Sequence, residues 1–212
     1  MVKLMNVDQL VKIAAGAGIV LEEATPETEN LYVYAVKAEN PADQHTVYVG
    51  KSASNSRSVA EANVEGQDYR DRIGVGFSAL VKENNAVRHS FRYDPTSFDP
   101  APLLAHIAEH NWHGGAIDAL REHLSGAVAE HPSFSDAFVE QFLVRIHVCT
   151  GRLIGNSQFA SQWEKTVNGL PNVVAVLAAD IARENGTLPK NTDLDTTPGA
   201  ETSDDPSPES AA

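Results

Sequence analysis

The side chains of this chain that could do chemistry begin with three tyrosines on two neighbouring segments. Tyr32 and Tyr34 stand in Leu31-Tyr-Val-Tyr-Ala-Val-Lys37, and Tyr48 stands in Thr46-Val-Tyr-Val-Gly50. Paired as a hairpin, such segments bring cross-strand side chains within about 5 Å, so Tyr32 or Tyr34 can stand beside Tyr48. A phenol near a cation serves as general acid or base, and arginine offers a planar fork for phosphate. Gly50-Lys51-Ser52 follows at once, with Arg57, Arg70 and Arg72 beyond it. Gly50-Lys51-Ser52 is not a phosphate loop, because no glycine precedes it at the required spacing. Far downstream, Glu140 lies among Phe138, Val139, Phe142 and Leu143, an acid in an otherwise apolar run. A second group is His106-Ile-Ala-Glu109-His110, with His113 close by. Histidines at i and i+4 share one helix face and suit zinc, with Asp118, Glu122 and Glu130 as candidate third ligands. The single cysteine, Cys149, sits in an apolar stretch and reads as a small buried hydrophobe.

The elements that must position these groups are legible in the pattern. Asn6 with Gln9 three residues on is a capping box ahead of Leu10, Val11, Ile13 and Ala14, and Gly16-Ala-Gly18 ends that helix. Residues 31–37 and 46–50 are rich in aromatic and β-branched residues and predict two strands joined by a long loop; 86–93 alternates as a third. Ser56 caps a helix expected over 57–63. From Pro100 the spacing becomes helical, with one stripe of Leu103, Leu104, Ile107 and Ala108 and another of Ile117, Leu120 and Leu124. Further helices are expected over 134–149 and 171–183. The fold expected is α+β, a small antiparallel three-stranded sheet flanked by helices in one domain over 1–189, with a helical insertion near 99–135. Residues 190–212 are acidic and almost free of apolar side chains, which predicts a disordered tail.

Leu31-Tyr32, then Tyr48-Val49-Gly50, then Lys51-Ser52 and Arg57 resemble the GIY-YIG nuclease superfamily. The resemblance continues over Glu140 to Asn156, which is similar to the helix bearing that family's metal-binding glutamate and the asparagine after it. Tyr32 and Tyr48 lie sixteen residues apart, which requires an enlarged hairpin loop. The resemblance implies a metal-dependent endonuclease acting on nucleic acid, DNA first, with Mg²⁺ or Mn²⁺ as cofactor. Glu140 would hold the cation, Arg57 the scissile phosphate, and Tyr32 with Tyr48 the attacking water. Asn156 would complete the set as a supporting residue. Gly50, Lys51, Ser52, Arg70 and Arg72 would contact substrate. Two other readings stand beside this one: the same fold acting as a binding module without cleavage, and a zinc hydrolase built on His106 and His110. Each residue also has an ordinary structural explanation: tyrosine is common in strands, and Arg57 or Glu140 can simply face water.

Charge sets a limit. The 212 residues carry a formal net charge of −13, which argues against a general nucleic-acid coat or a membrane-surface binder. The acidity is uneven, however. Residues 48–92 hold seven Lys/Arg against five Asp/Glu, whereas residues 93–139 hold one Arg against seven acids. The candidate nuclease segments are therefore the least acidic part of the chain. The longest apolar stretch, Val173 to Ala179, is far short of a bilayer span, and the first residues hold no signal-peptide run. Those observations predict a cytoplasmic protein with no membrane partner. Oligomeric state is not legible.

Overall fold

Asn6 opens the first helix as its capping box predicts: its side chain accepts from the Gln9 backbone N–H at 2.8 Å, and the Gln9 side chain accepts from the Asn6 N–H at 3.3 Å. That helix, α1 (Val7–Gly16), buries Val7, Leu10, Ile13 and Ala14 on one stripe. The computed structural model describes residues 4–51, 85–125, 134–152, 154, 156 and 169–189. The helix expected over 57–63 and the tail 190–212 lie outside them. Just beyond α1, Gly18 takes a φ of +79°, which disfavours any side chain, and a Cβ there would fall 1.7 Å from the Asp99 carbonyl oxygen. The Asp99 N–H in turn donates to the Gly18 carbonyl at 2.9 Å, so this glycine permits the close approach of two chain segments.

Four strands follow: β1 (Glu22–Glu23), β2 (Leu31–Val36), β3 (Thr46–Lys51) and β4 (Ala86–Arg92). They form one antiparallel sheet in the order β1-β4-β2-β3. The three expected strands are present, and the three-stranded expectation is corrected by β1. Two exposed glutamates carry no hydrophobic alternation, so β1 has no pattern to detect; it pairs on the outside of β4, with Glu22 opposite Arg92. The long β2–β3 connection contains a 3₁₀ turn (Pro41–Asp43) capped by the Asn40 side chain.

After β4 the described chain is helical: α2 (Ala101–Glu109), α3 (Gly115–Ser125), α4 (Asp136–Cys149) and α5 (Leu170–Glu184). The first two lie within the block expected near 99–135. Leu103 and Ile107 of α2, and Leu120 and Leu124 of α3, are the members of the predicted stripes that are buried. One apolar core joins α1, the Leu31/Val33/Ala35/Val49 face of the sheet, and all four later helices. Tyr93 is tied into it from the end of β4, its hydroxyl donating to the Phe134 carbonyl at 2.9 Å. Among the described residues no helix is long and apolar enough to cross a membrane.

Candidate active site

Period-2 alternation along β2 sends Leu31, Val33 and Ala35 to the core and leaves Tyr32 and Tyr34 on the opposite face. Tyr48 joins them from β3, directly across from Tyr34. The register slips between Tyr34 and Ala35, which faces Thr46 and not the next residue along β3. This bulge changes the phase of β3, so Thr46 can bond toward α4 while Tyr48 stays on the tyrosine face. The rings of Tyr32 and Tyr48 stack at 6.3 Å between centroids, and Tyr34 meets Tyr32 edge-on at 5.9 Å. The hairpin thus brings Tyr32 and Tyr48 together.

Gly50, expected among the substrate contacts, is buried opposite Tyr32. A Cβ at Gly50 would meet Tyr32 Cζ at 2.4 Å and its hydroxyl oxygen at 2.5 Å. Its missing side chain is what lets the ring lie flat across the strand. Lys51 follows at the end of β3, half-buried. Ser52, Arg57, Arg70 and Arg72 lie outside the described residues.

The cation over the tyrosines is one the sequence reading did not select. Arg88 of β4 lies opposite Tyr34, and its guanidinium sits 4.1 Å from the Tyr32 ring centroid, a cation–π stack. Its Nη1 donates to the Tyr34 hydroxyl at 3.4 Å, and Nε and Nη2 form a fork onto the Glu29 carboxylate. That Glu29 pairing and the bond to Tyr34 help hold the Arg88 proton more firmly than usual, although burial works the other way. Strand alternation places position 88 on the tyrosine face, but its partner Glu29 comes from the loop before β2, which no local pattern reveals.

Tyr32 itself is held well above the ordinary phenol range. Burial is the main cause; Tyr48, Tyr34 and the Glu140 carboxylate push the same way, and Arg88 pulls down without prevailing. At neutral pH Tyr32 keeps its proton, and it can orient a water or phosphate oxygen but not act as a base.

Glu140, on α4, is among the charges that act on the Tyr32 phenol. The helix is started by Ser135, whose side chain accepts from the Phe138 N–H, and it buries Phe138, Val139, Phe142, Leu143 and Ile146 in the core. Glu140 and His147, two turns apart on one stripe, are buried as well. His147 is bonded at both ring nitrogens. Nδ1 meets the Leu143 carbonyl at 2.7 Å, and Nε2 meets the Thr46 hydroxyl, which also donates to the Met5 carbonyl at 2.8 Å. The contact between His147 and Thr46 ties α4 to the start of β3.

Burial pushes the His147 pKa down to about 4. A folded-state pKa below the unfolded value means that the unfolded chain takes up the proton first. Stability from this group is present above about pH 6.5 and is lost as pH falls toward 4, by as much as roughly 3 kcal/mol. Urea melts across that range are expected to show this loss, with a shallower pH slope in His147→Gln.

Asn156 is buried and brackets Val49: its side-chain oxygen accepts the Val49 N–H at 2.9 Å, and its side-chain nitrogen donates to the Val49 carbonyl at 2.6 Å. The amide acts as a substitute strand for the outer edge of β3. Both its polar ends are engaged there, so its contribution is to hold β3 in place. Asn30 treats Tyr93 in the same way at 2.7 and 2.8 Å.

The histidine group has a different third partner from those expected. His106 and His110 do share one face of α2, with ring centroids 4.4 Å apart. Their carboxylates, Glu184 and Asp180, come from α5. Asp118 instead pairs with Arg121, Glu122 is no part of the group, and Glu130 lies outside the described residues. Cys149 is a half-buried thiol packed against the core: desolvation pushes its pKa up to about 11, and Sγ approaches the Ile146 and Ala175 carbonyls. A cleft of about 630 Å³ also opens between α1, β1 and β4, lined in part by Lys12, Leu21, Gln44 and His89; Arg88 borders it, but the three tyrosines do not.

Compared with protein-family models, with curated proteins and with solved structures, the chain matches none. The functional reading rests on the arrangement of its own residues.

Proposed function

We propose that this chain is a metal-dependent endonuclease that hydrolyses phosphodiester bonds of nucleic acid, DNA first, with a site of the GIY-YIG type. The observation that carries the reading is the stack of Tyr32 on Tyr48, with the buried Glu140 carboxylate among the charges that act on the Tyr32 phenol. A hard divalent cation keeps most of its waters and takes one or two carboxylates, and Glu140 suits that donor set. Bound Mg²⁺ or Mn²⁺ would supply charge stabilisation at the leaving oxygen. Glu140 would hold it, and Arg57 would bind the scissile phosphate. Tyr32, protonated, would orient the attacking water, with Tyr48 packed against it.

A second reading, a module of the same fold that binds without cleaving, is favoured by one observation. Tyr32, Tyr34 and Tyr48 are only 6%, 7% and 4% exposed, and the Arg88 charge is already matched by Glu29. A set so enclosed can serve as a small second core.

Supercoiled plasmid titrated with Mg²⁺ or Mn²⁺ separates the two. The nuclease reading expects metal-dependent nicking by the purified full chain. It expects that rate to fall about 100-fold or more in Arg57→Ala, the loss typical of removing one donor to developing charge, and to fall also in Tyr32→Phe. Wild-type nicking no greater than that of both variants would leave the binding module as the reading.

A further inference from the structure

We infer that His106, His110 and Glu184 form a binding site for a first-row transition-metal cation of the zinc type, separate from the tyrosine face. One ligand atom from each of the three residues lies within 4.8 Å of the other two. His106 Nδ1 is 3.4 Å from one Glu184 carboxylate oxygen, and His110 Nε2 is 2.7 Å from the other. Zinc bonds of 2.0–2.1 Å in tetrahedral geometry put neighbouring donor atoms about 3.3 Å apart. The first pair already meets that spacing, and the second needs only a small rotation of Glu184, whose side chain is 46% exposed.

The surroundings of His106 suit a metal ligand. Its side chain is 4% exposed, and both ring nitrogens face carboxylates: Nδ1 faces Glu184, and Nε2 faces Asp180 at 3.3 Å. A neutral imidazole has one N–H and can satisfy only one of them, whereas a second proton or a cation on Nδ1 satisfies both. With a cation on Nδ1, the Nε2–H is free to donate to Asp180, the carboxylate–histidine–metal relay that orients ligating histidines. Arg183 approaches that same Asp180 carboxylate at 3.7 Å. Two imidazoles with one carboxylate select zinc-like cations over Mg²⁺, which prefers oxygen donors. His110, at the end of α2, is 37% exposed, so a fourth coordination position opens to water. The cation would brace α2 against α5.

The test uses the full-length wild-type chain, purified in chelator, dialysed and titrated with ZnCl₂. One zinc per chain is expected, retained against millimolar MgCl₂. Binding should weaken at least 100-fold in His110→Ala and in Glu184→Gln, and 10–100-fold in Asp180→Asn. A hundredfold excess of zinc over its Kd should raise Tm by about 5–10 °C in wild type and hardly at all in the first two variants. Cobalt(II) in place of zinc should give the visible absorption of a tetrahedral ion. Because His110 and Glu184 are partly exposed, circular dichroism is expected to match wild type, so loss of zinc would report the site and not the fold. No stoichiometric zinc, or equal zinc in His110→Ala and Glu184→Gln, overturns the inference. Glu140→Gln should leave zinc binding unchanged, which keeps this result independent of the nuclease reading.

Discussion

Glu140→Gln is expected to leave the chain folded and to lower metal-dependent cleavage by about 10²–10³, as loss of a group that anchors charge stabilisation at the reacting phosphate should. The substitution keeps the shape of a side chain that is 6% exposed, so packing on α4 survives. What disappears is one negative charge, and with it the donor for a hard cation. Any residual nicking should no longer respond to Mg²⁺. An internal control comes from Tyr32: the Glu140 carboxylate helps to raise that phenol's pKa, so removing the charge should move the tyrosinate transition downward. A variant that still nicks within threefold of wild type, with the same metal response, would remove Glu140 from the mechanism.

Gly50→Ala tests how the tyrosine face is built. The new methyl group would overlap the far end of Tyr32, at 2.4–2.6 Å from three ring and hydroxyl atoms. An end-of-side-chain clash is often relieved by a swing, but Tyr32 has little room. Tyr48 stacks on it, Tyr34 abuts it, and the Arg88 guanidinium covers it. Moving the ring breaks that stack and disturbs the fork from Arg88 to Glu29. The expected loss is about 1–3 kcal/mol in urea melts, with a changed near-ultraviolet tyrosine spectrum and reduced cleavage. The proposed cause is specific, so a double-mutant cycle can check it. In a Tyr32→Ala background the same Gly50→Ala change should cost much less. Equal costs in the two backgrounds would show that the glycine matters for some other reason.

What could be foreseen from the chain alone divides by range of interaction. The α1 capping box spans three residues and is realised bond for bond, and the strands at 31–36, 46–51 and 86–92 follow from aromatic and β-branched runs. The pairing of Tyr32 with Tyr48 follows from the hairpin. The groups that complete each site come from far along the chain. Glu29 caps Arg88 from 59 residues away, and Asn156 clamps Val49 from 107. Glu184 reaches the histidines only because α2 and α5 pack together, whereas the expected ligands were sought nearby in sequence. His147 was hidden for a different reason: it sits among Val144, Ile146 and Val148, and periodicity alone does not reveal that a buried imidazole is bonded to a strand threonine. The high Tyr32 pKa was not legible either, because the burial that sets it is a property of the packed sheet.

The sharpest test is where a cation sits relative to the tyrosines. Mn²⁺ titrated into the full chain carrying ¹³C-labelled tyrosine rings should broaden the Tyr32 and Tyr48 resonances before that of Tyr93, which lies in the main core. That selectivity should vanish in Glu140→Gln. Broadening of Tyr32 and Tyr48 no stronger than that of Tyr93, or undiminished when Glu140 is replaced, would contradict a metal site at the tyrosine face.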